Sequence, residues 1–158
     1  MTETKIRLQV SQARGNFDMQ NQLDRFLSES VDKRCERQDC RSNSFTKNFE
    51  MLTIPEFLLV DLMFYEYVPD PAGGYGITRK LNSHCKPLEN IEIPVPGGSR
   101  KYSLEGIVEH LGTEMVGSVN HYVSFIKKDN GWYKINDAVV TQTKELTQQP
   151  YVSLYKLQ

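Results

Sequence analysis

A β-hairpin signal in the last third of the chain constrains its fold more than any other feature. Segments 121–125 (HYVSF) and 132–137 (WYKIND) flank an Asp-Asn-Gly turn at 129–131, and Asn-Gly is the dipeptide that tight hairpins favour. Both segments are rich in aromatic and β-branched residues, which are typical of strands. Pairing across this turn brings His121 close to Asn136.

The expected neighbourhood of His121, with Asn136 and Asp137, can be interpreted in two ways. An amide or carboxylate that holds one imidazole nitrogen fixes the tautomer and leaves the other nitrogen as a general base. Alternatively, a strand histidine beside aromatic residues is simply packed or half exposed. Spacing alone leaves both interpretations open, because a catalytic site also needs a nucleophile.

The remaining signals predict an α+β domain dominated by antiparallel β structure. A central strand is expected at 58–65, after Pro55 in the most apolar block of the chain. Asp18 fits the N-cap of a short helix that runs from Met19 to about Val31. A length of 158 residues suits a single domain with one core. Further strands are expected at 5–10, 91–93, 103–111, 121–127, 132–136 and 152–157.

Composition excludes several classes of partner. With 19 basic and 20 acidic residues the net charge is −1, so no basic field favours nucleic acid. No apolar run is long enough to span a membrane, and the first ten residues lack the features of a secretory signal. Three cysteines agree with a reducing compartment. We therefore expect an intracellular protein, in the cytoplasm or nucleus, without a cofactor.

Two of the cysteines, Cys35 and Cys40, mark a polar segment at 32–48 that predicts a finger-like excursion. They are the candidates for a metal site, but a single pair cannot supply the four ligands of a tetrahedral zinc site. No metal is therefore predicted. Cys85 and His110 are interpreted as an ordinary thiol and an ordinary histidine.

Four stretches stand in a fixed order along the second half of the chain: 102–112 (YSLEGIVEHLG), 121–125 (HYVSF), 132–140 (WYKINDAVV) and 151–155 (YVSLY). Taken together, they resemble the histidine box of the ubiquitin-specific proteases, the peptidase C19 family of ubiquitin carboxyl-terminal hydrolases. Upstream, the LDRFL helix, the cysteine pair and the strand from Pro55 to Tyr65 are also similar to that family. The resemblance covers about residues 5–155 and corresponds to the second half of the family's domain.

This resemblance implies a papain-like cysteine protease fold, of which the chain would form the palm and part of the fingers. Residues 1–158 would be the C-terminal half of the domain, with a finger at about 32–48 and a palm sheet at about 50–158. The thumb half, which holds the family's cysteine box, would have to precede Met1.

By position in the family, His121 would be the general base and Asn136 the residue that orients it. Asp137 would be a neighbouring polar support. Tyr122 would line the groove for the ubiquitin tail, and the loop that contains Gly117 and Asn120 would flank it.

One departure from the family pattern concerns access to this groove. The family usually has glycine immediately before the histidine, where this chain has Asn120. A side chain at that position narrows the space that glycine leaves for close backbone approach. The change argues for binding rather than catalysis.

Without a nucleophile the chain is predicted to be inactive alone. It would be an interaction module built on a protease scaffold, or one piece of a split protease. The alternative is an active deubiquitinase that hydrolyses isopeptides when the cysteine-bearing half is supplied. The face that packs against the thumb half in the family would be left exposed in this chain. Its exposure predicts a protein partner or a homodimer, with ubiquitin as one candidate, and neither nucleic acid nor membrane.

Overall fold

The chain forms fourteen strands and one helix within the part that the computed structural model describes, residues 4–10, 16–37, 39–81, 83–112, 121–129 and 131–158. In chain order the elements are β1 (Thr4–Gln9), β2 (Asn16–Phe17), α1 (Met19–Leu27), β3 (Ser28–Val31), β4 (Phe45–Asn48), β5 (Phe57–Met63), β6 (Tyr65–Val68), β7 (Ile77–Lys80), β8 (His84–Cys85), β9 (Asn90–Val95), β10 (Gly98–Leu111), β11 (His121–Lys128), β12 (Gly131–Asn136), β13 (Val139–Thr143) and β14 (Pro150–Leu157).

An eight-stranded sheet organises the molecule. Its order is β1-β5-β14-β10-β11-β12-β13, and β9 also pairs with β10. The pair β1–β5 is parallel and the other pairs of this sheet are antiparallel. The predicted α+β class with mainly antiparallel strands is confirmed. Among the described elements, no helix is long and apolar enough to cross a membrane.

Strand β5 supplies the centre of the core. Leu58, Val60 and Leu62 are fully buried and alternate with half-buried residues, because successive side chains of a strand point to opposite faces. The strand ends at Met63 rather than at the expected Tyr65. At Phe64 the backbone bends, with its N–H donating to the Leu62 carbonyl at 3.0 Å, and a new strand begins.

Helix α1 covers one face of the sheet through Met19 and Leu23, both buried. The Asp18 carboxylate caps it, accepting from the backbone N–H groups of Gln20 at 2.9 Å and Asn21 at 3.4 Å. The expected end near Val31 was wrong: the helix stops at Leu27. Residues 28–31 are extended instead, because they pair with β4.

Two hairpins lie outside the large sheet. Strands β3 and β4 form one, with residues 32–44 connecting them, and β6 and β7 form the other. The first hairpin carries Cys35 and Cys40. Its assignment as a family finger stays a prediction.

Candidate functional site

The hairpin β11–β12 brings His121 and Asn136 together. The strands are antiparallel, with Ser124 opposite Ile135 and Lys128 opposite Gly131. His121 and Asn136 lie at the end of the hairpin that is remote from its turn. There, the imidazole Nε2 and the Asn136 side-chain oxygen Oδ1 are 2.5 Å apart.

This contact indicates which nitrogen of the neutral imidazole carries the proton. An amide oxygen can only accept a hydrogen bond, so Nε2 of His121 donates its N–H to Asn136. The proton of the neutral ring is then on Nε2, and Nδ1 keeps a free lone pair. A ring oriented in this way can accept a proton from a nucleophile at Nδ1.

Asp137 lies next to this pair but in a different local structure. It begins the two-residue turn between β12 and β13 and is exposed, with a φ of 52°. Asp tolerates this left-handed conformation better than most residues. The hydrogen bond from His121 goes to Oδ1 of the Asn136 amide and not to the Asp137 carboxylate.

Tyr122 belongs to a group of four rings that we call the aromatic cluster: Tyr65, His110, Tyr122 and Tyr151. His110 is opposite Tyr122 in the β10–β11 pairing, and their ring centroids are 4.8 Å apart. Tyr151 lies 5.9 Å from His110 and 6.2 Å from Tyr122. Tyr122 is 50% exposed whereas His110 is 5% exposed. The cluster thus has a buried base and an accessible aromatic rim.

Hydrogen bonds hold the base of this cluster. The Tyr65 hydroxyl and Nδ1 of His110 are 2.7 Å apart. Burial, with smaller contributions from Tyr151 and Tyr122, raises the pKa of Tyr65. Lys80 donates from Nζ to the His110 carbonyl oxygen at 2.7 Å, and burial lowers the pKa of this lysine.

Sequence reasoning missed most of the aromatic cluster. It gave His110 an ordinary role and assigned none to Tyr65, Lys80 or Tyr151. The available signal was the direct pairing of His110 with Tyr122 that follows once β10 and β11 are aligned. The contact of Tyr65 with His110 spans 45 residues, and no local pattern indicates it.

The other residues singled out by the sequence lie elsewhere. Gly117 and Asn120, expected beside the groove, fall outside the described residues. Cys35 and Cys40 are partly exposed on the β3–β4 hairpin, and Cys85 is buried in β8. Within the described ranges no group of three or more His, Cys, Asp or Glu side chains could hold a metal ion.

The family model for ubiquitin carboxyl-terminal hydrolases matches residues 4–155, so this chain belongs to that family. It is 41% identical over 87 residues to ubiquitin carboxyl-terminal hydrolase A of Dictyostelium discoideum, a match that covers 51% of this chain and 10% of that protein. It is 32% identical over 117 residues to ubiquitin carboxyl-terminal hydrolase 16 of Arabidopsis thaliana, covering 69% and 11%. The chain spans about a tenth of these relatives.

Solved structures agree on the fold. The SAGA DUB module Ubp8/Sgf11/Sus1/Sgf73 bound to monoubiquitin contains a chain with a TM-score of 0.73 and 21% identity, covering 98% of this chain and 35% of that one. The same module bound to ubiquitin aldehyde gives a TM-score of 0.69 at 20% identity, covering 98% and 36%. The fold is therefore a part of the papain-like ubiquitin-specific protease fold.

Proposed function

We propose that this chain supplies the general base and the orienting amide of a ubiquitin carboxyl-terminal hydrolase site whose thiolate comes from another segment. Alone, it would bind the ubiquitin tail without turning it over. The observation that carries the proposal is the hydrogen bond from Nε2 of His121 to Oδ1 of Asn136, which leaves Nδ1 free.

The roles of the site residues follow from acid–base chemistry. His121 accepts the proton of a thiol at Nδ1, and the resulting thiolate attacks the carbonyl carbon of the isopeptide. The same imidazole then returns the proton to the leaving amine, and water hydrolyses the thioester. Asn136 holds the ring in one orientation through this cycle, and Asp137 adds a polar neighbour.

The nucleophile is assigned to another segment because none of the three cysteines suits the role. Burial raises the pKa of Cys85 to about 12, which keeps it a thiol at neutral pH. Cys35 and Cys40 lie on the β3–β4 hairpin, which is separate from the sheet that carries His121.

Binding of the ubiquitin tail is assigned to the aromatic rim beside His121. Tyr122 is half exposed above His110, and an accessible tyrosine on a rigid strand provides contact area at low entropic cost. Gly117 and Asn120 would flank the same groove. The similarity to a module solved with monoubiquitin and further subunits supports ubiquitin and a protein partner as ligands, and we propose an intracellular location in cytoplasm or nucleus. A homodimer is the alternative assembly.

The first experiment uses a ubiquitin C-terminal fluorogenic substrate and NMR titration with ubiquitin. We expect no turnover by the chain alone, and binding that Tyr122→Ala weakens. His84→Ala, at an exposed position, is the matched control and should leave binding unchanged. Turnover that His121→Ala abolishes would show that this chain contains its own nucleophile and would contradict the assignment.

A second candidate function is binding without catalysis, favoured by the exposed Tyr122 and the absence of a suitable thiol among the three cysteines. The chain should therefore be co-expressed with a cysteine-bearing segment of the family. Turnover that requires His121 supports the split catalytic site. Ubiquitin binding without turnover supports the binding module instead.

A further inference from the structure

The strands β10 and β11 are joined, at the end that carries His121, by a long connection rather than by a tight turn. In their pairing Leu111 is opposite His121, and His110 is opposite Tyr122. The connection 112–120 between the two strands is far longer than a two-residue hairpin turn. Strand ends that no tight turn fixes open readily. The position of His121 and Tyr122 therefore depends on what holds the last residues of β10.

Two residues at the base of the β6–β7 hairpin reach this end of β10, and we call them the clamp. They are Tyr65 and Lys80, which are directly opposite each other, and opposite residues of an antiparallel pair project from the same face. The Tyr65 hydroxyl lies 2.7 Å from Nδ1 of His110, and Nζ of Lys80 donates to the carbonyl oxygen of His110 at 2.7 Å. The clamp thus holds His110 by its side chain and by its backbone.

The lysine of the clamp makes a second contact at the same strand end. Its Nζ lies 3.5 Å from the carbonyl oxygen of Gly112, the residue that follows β10, so one ammonium group bridges two backbone carbonyls. Lys80 is half-buried, and this burial lowers its pKa whereas the Glu109 carboxylate raises it. Charge-assisted hydrogen bonds are stronger than neutral ones, and more so away from bulk water. The Lys80 ammonium group is therefore well suited to fix the end of β10.

We propose that Lys80 is a positioning residue of the ubiquitin-tail site. By fixing the end of β10, it keeps the β10–β11 pair closed where that pair presents Tyr122 and His121. Lys80 acts through the backbone of His110 and Gly112, and it is neither an acid nor a base in the reaction. This role rests on the function proposed above for the identity of the ligand, whereas the fixing of the strand end can be measured without any ligand.

Amide hydrogen exchange of the free chain, followed by NMR, tests whether Lys80 fixes the strand end. Lys80→Met keeps an unbranched apolar side chain but removes the ammonium group. We expect the paired backbone amides of 109–111 and 121–123 to exchange about tenfold faster, because a charged hydrogen bond is lost from the closed state. The amides of 126–128, whose local opening leaves the clamp intact, should keep their rates. Equal acceleration at both ends of β11 would indicate general destabilisation and would overturn the proposal.

Two further variants separate the hydrogen bonds of Lys80 from its charge. Lys80→Arg keeps a charged donor and should recover part of the protection at 121–123. Lys128→Met removes an exposed lysine from the far end of β11 and should leave the exchange at 121–123 unchanged. Equal losses in Lys80→Arg and Lys80→Met, or a loss in Lys128→Met, would count against the clamp.

Titration of the same variants with ubiquitin connects the strand end to the ligand. We expect Lys80→Met to weaken binding roughly threefold or more, because affinity falls with the fraction of chains whose site is closed, and Lys128→Met to bind like the unsubstituted chain. Faster exchange in Lys80→Met with unchanged affinity would show that the clamp is only structural and would overturn the positioning role. Absence of binding by the unsubstituted chain would instead overturn the proposed function, and the exchange rates would still report on Lys80.

Discussion

At the residue scale, the contact with Asn136 fixes the orientation of the His121 imidazole. The bond at Nε2 is short, and both residues are on strands whose relative position the sheet sets. A free histidine side chain exchanges between tautomers and rotamers. In the function proposed above, the Asn136 amide preorganises a base rather than creating one.

Asn136→Ala should release the tautomer of His121. In the unsubstituted chain, ¹⁵N NMR correlations of the neutral ring should show the proton predominantly on Nε2, because Asn136 accepts from that atom. In the variant we expect a mixture of both tautomers.

Asp137→Asn is the control for that experiment, because asparagine also tolerates the positive φ of this turn position. It should leave the His121 tautomer unchanged. A tautomer shift caused by Asp137→Asn and not by Asn136→Ala would show that Asp137, rather than Asn136, orients the imidazole.

Tyr65→Phe should destabilise the chain. The substitution removes the hydroxyl that hydrogen-bonds to Nδ1 of buried His110, and a buried polar group without a partner costs about 1–3 kcal/mol. Denaturant unfolding should show this loss in the free energy of unfolding. Tyr75→Phe, at a fully exposed ring, should change it by less than about 0.5 kcal/mol.

At the element scale, helix α1 shows how local and non-local preferences compete. Its start follows from the Asp18 cap, which depends on residues two and three positions away. Its end depends on residues 28–31, which pair with 45–48 from across the hairpin. The helical pattern near Leu27 is thus overridden by a strand partner that lies distant in sequence.

Asp18→Ala should lower the free energy of unfolding by about 1 kcal/mol, because two N–H groups at the start of α1 lose their acceptor. Asp18→Asn keeps a capping oxygen and should recover most of that loss. Equal destabilisation by both substitutions, measured by thermal or denaturant unfolding, would argue that the cap contributes little to stability.

At the scale of the whole molecule, the core contains ionisable groups whose pKa values are raised chiefly by burial. Cys85 and Tyr155 are both buried, and burial raises the pKa of each. Tyr155 donates from its hydroxyl to the Leu88 carbonyl at 2.9 Å. Because the folded state favours the protonated forms, unfolding becomes easier when these groups ionise in the unfolded chain.

Stability should therefore fall at alkaline pH. The contribution of Cys85 is fully present below its ordinary pKa of 9.0 and is lost as the pH rises toward about 12, with a slope of up to about 1.4 kcal/mol per pH unit. Cys85→Ala should flatten this slope between pH 9 and 12, whatever its effect at pH 7. Cys35→Ser, at a partly exposed position, should leave the slope unchanged.

Prediction from sequence was most successful where the signal came from neighbouring residues. The Asn-Gly turn and the alternation of residues on either side predicted β11 and β12, and with them the proximity of His121 and Asn136. The sequence did not predict the strand β13, because its exposed residues carry no alternating apolar pattern. The parallel pairing of β1 with β5 was equally invisible, because its partners are more than 50 residues apart.

By itself, the sequence determined the family, the mainly antiparallel class and the two residues that form the imidazole–amide contact. These depend on turn chemistry, side-chain alternation and motif order, which act over a few neighbouring residues. Only the tertiary structure decided the order of the strands, the end of α1 and the aromatic cluster. Those features depend on which distant segments pack together, and packing is a property of the whole chain rather than of any one segment.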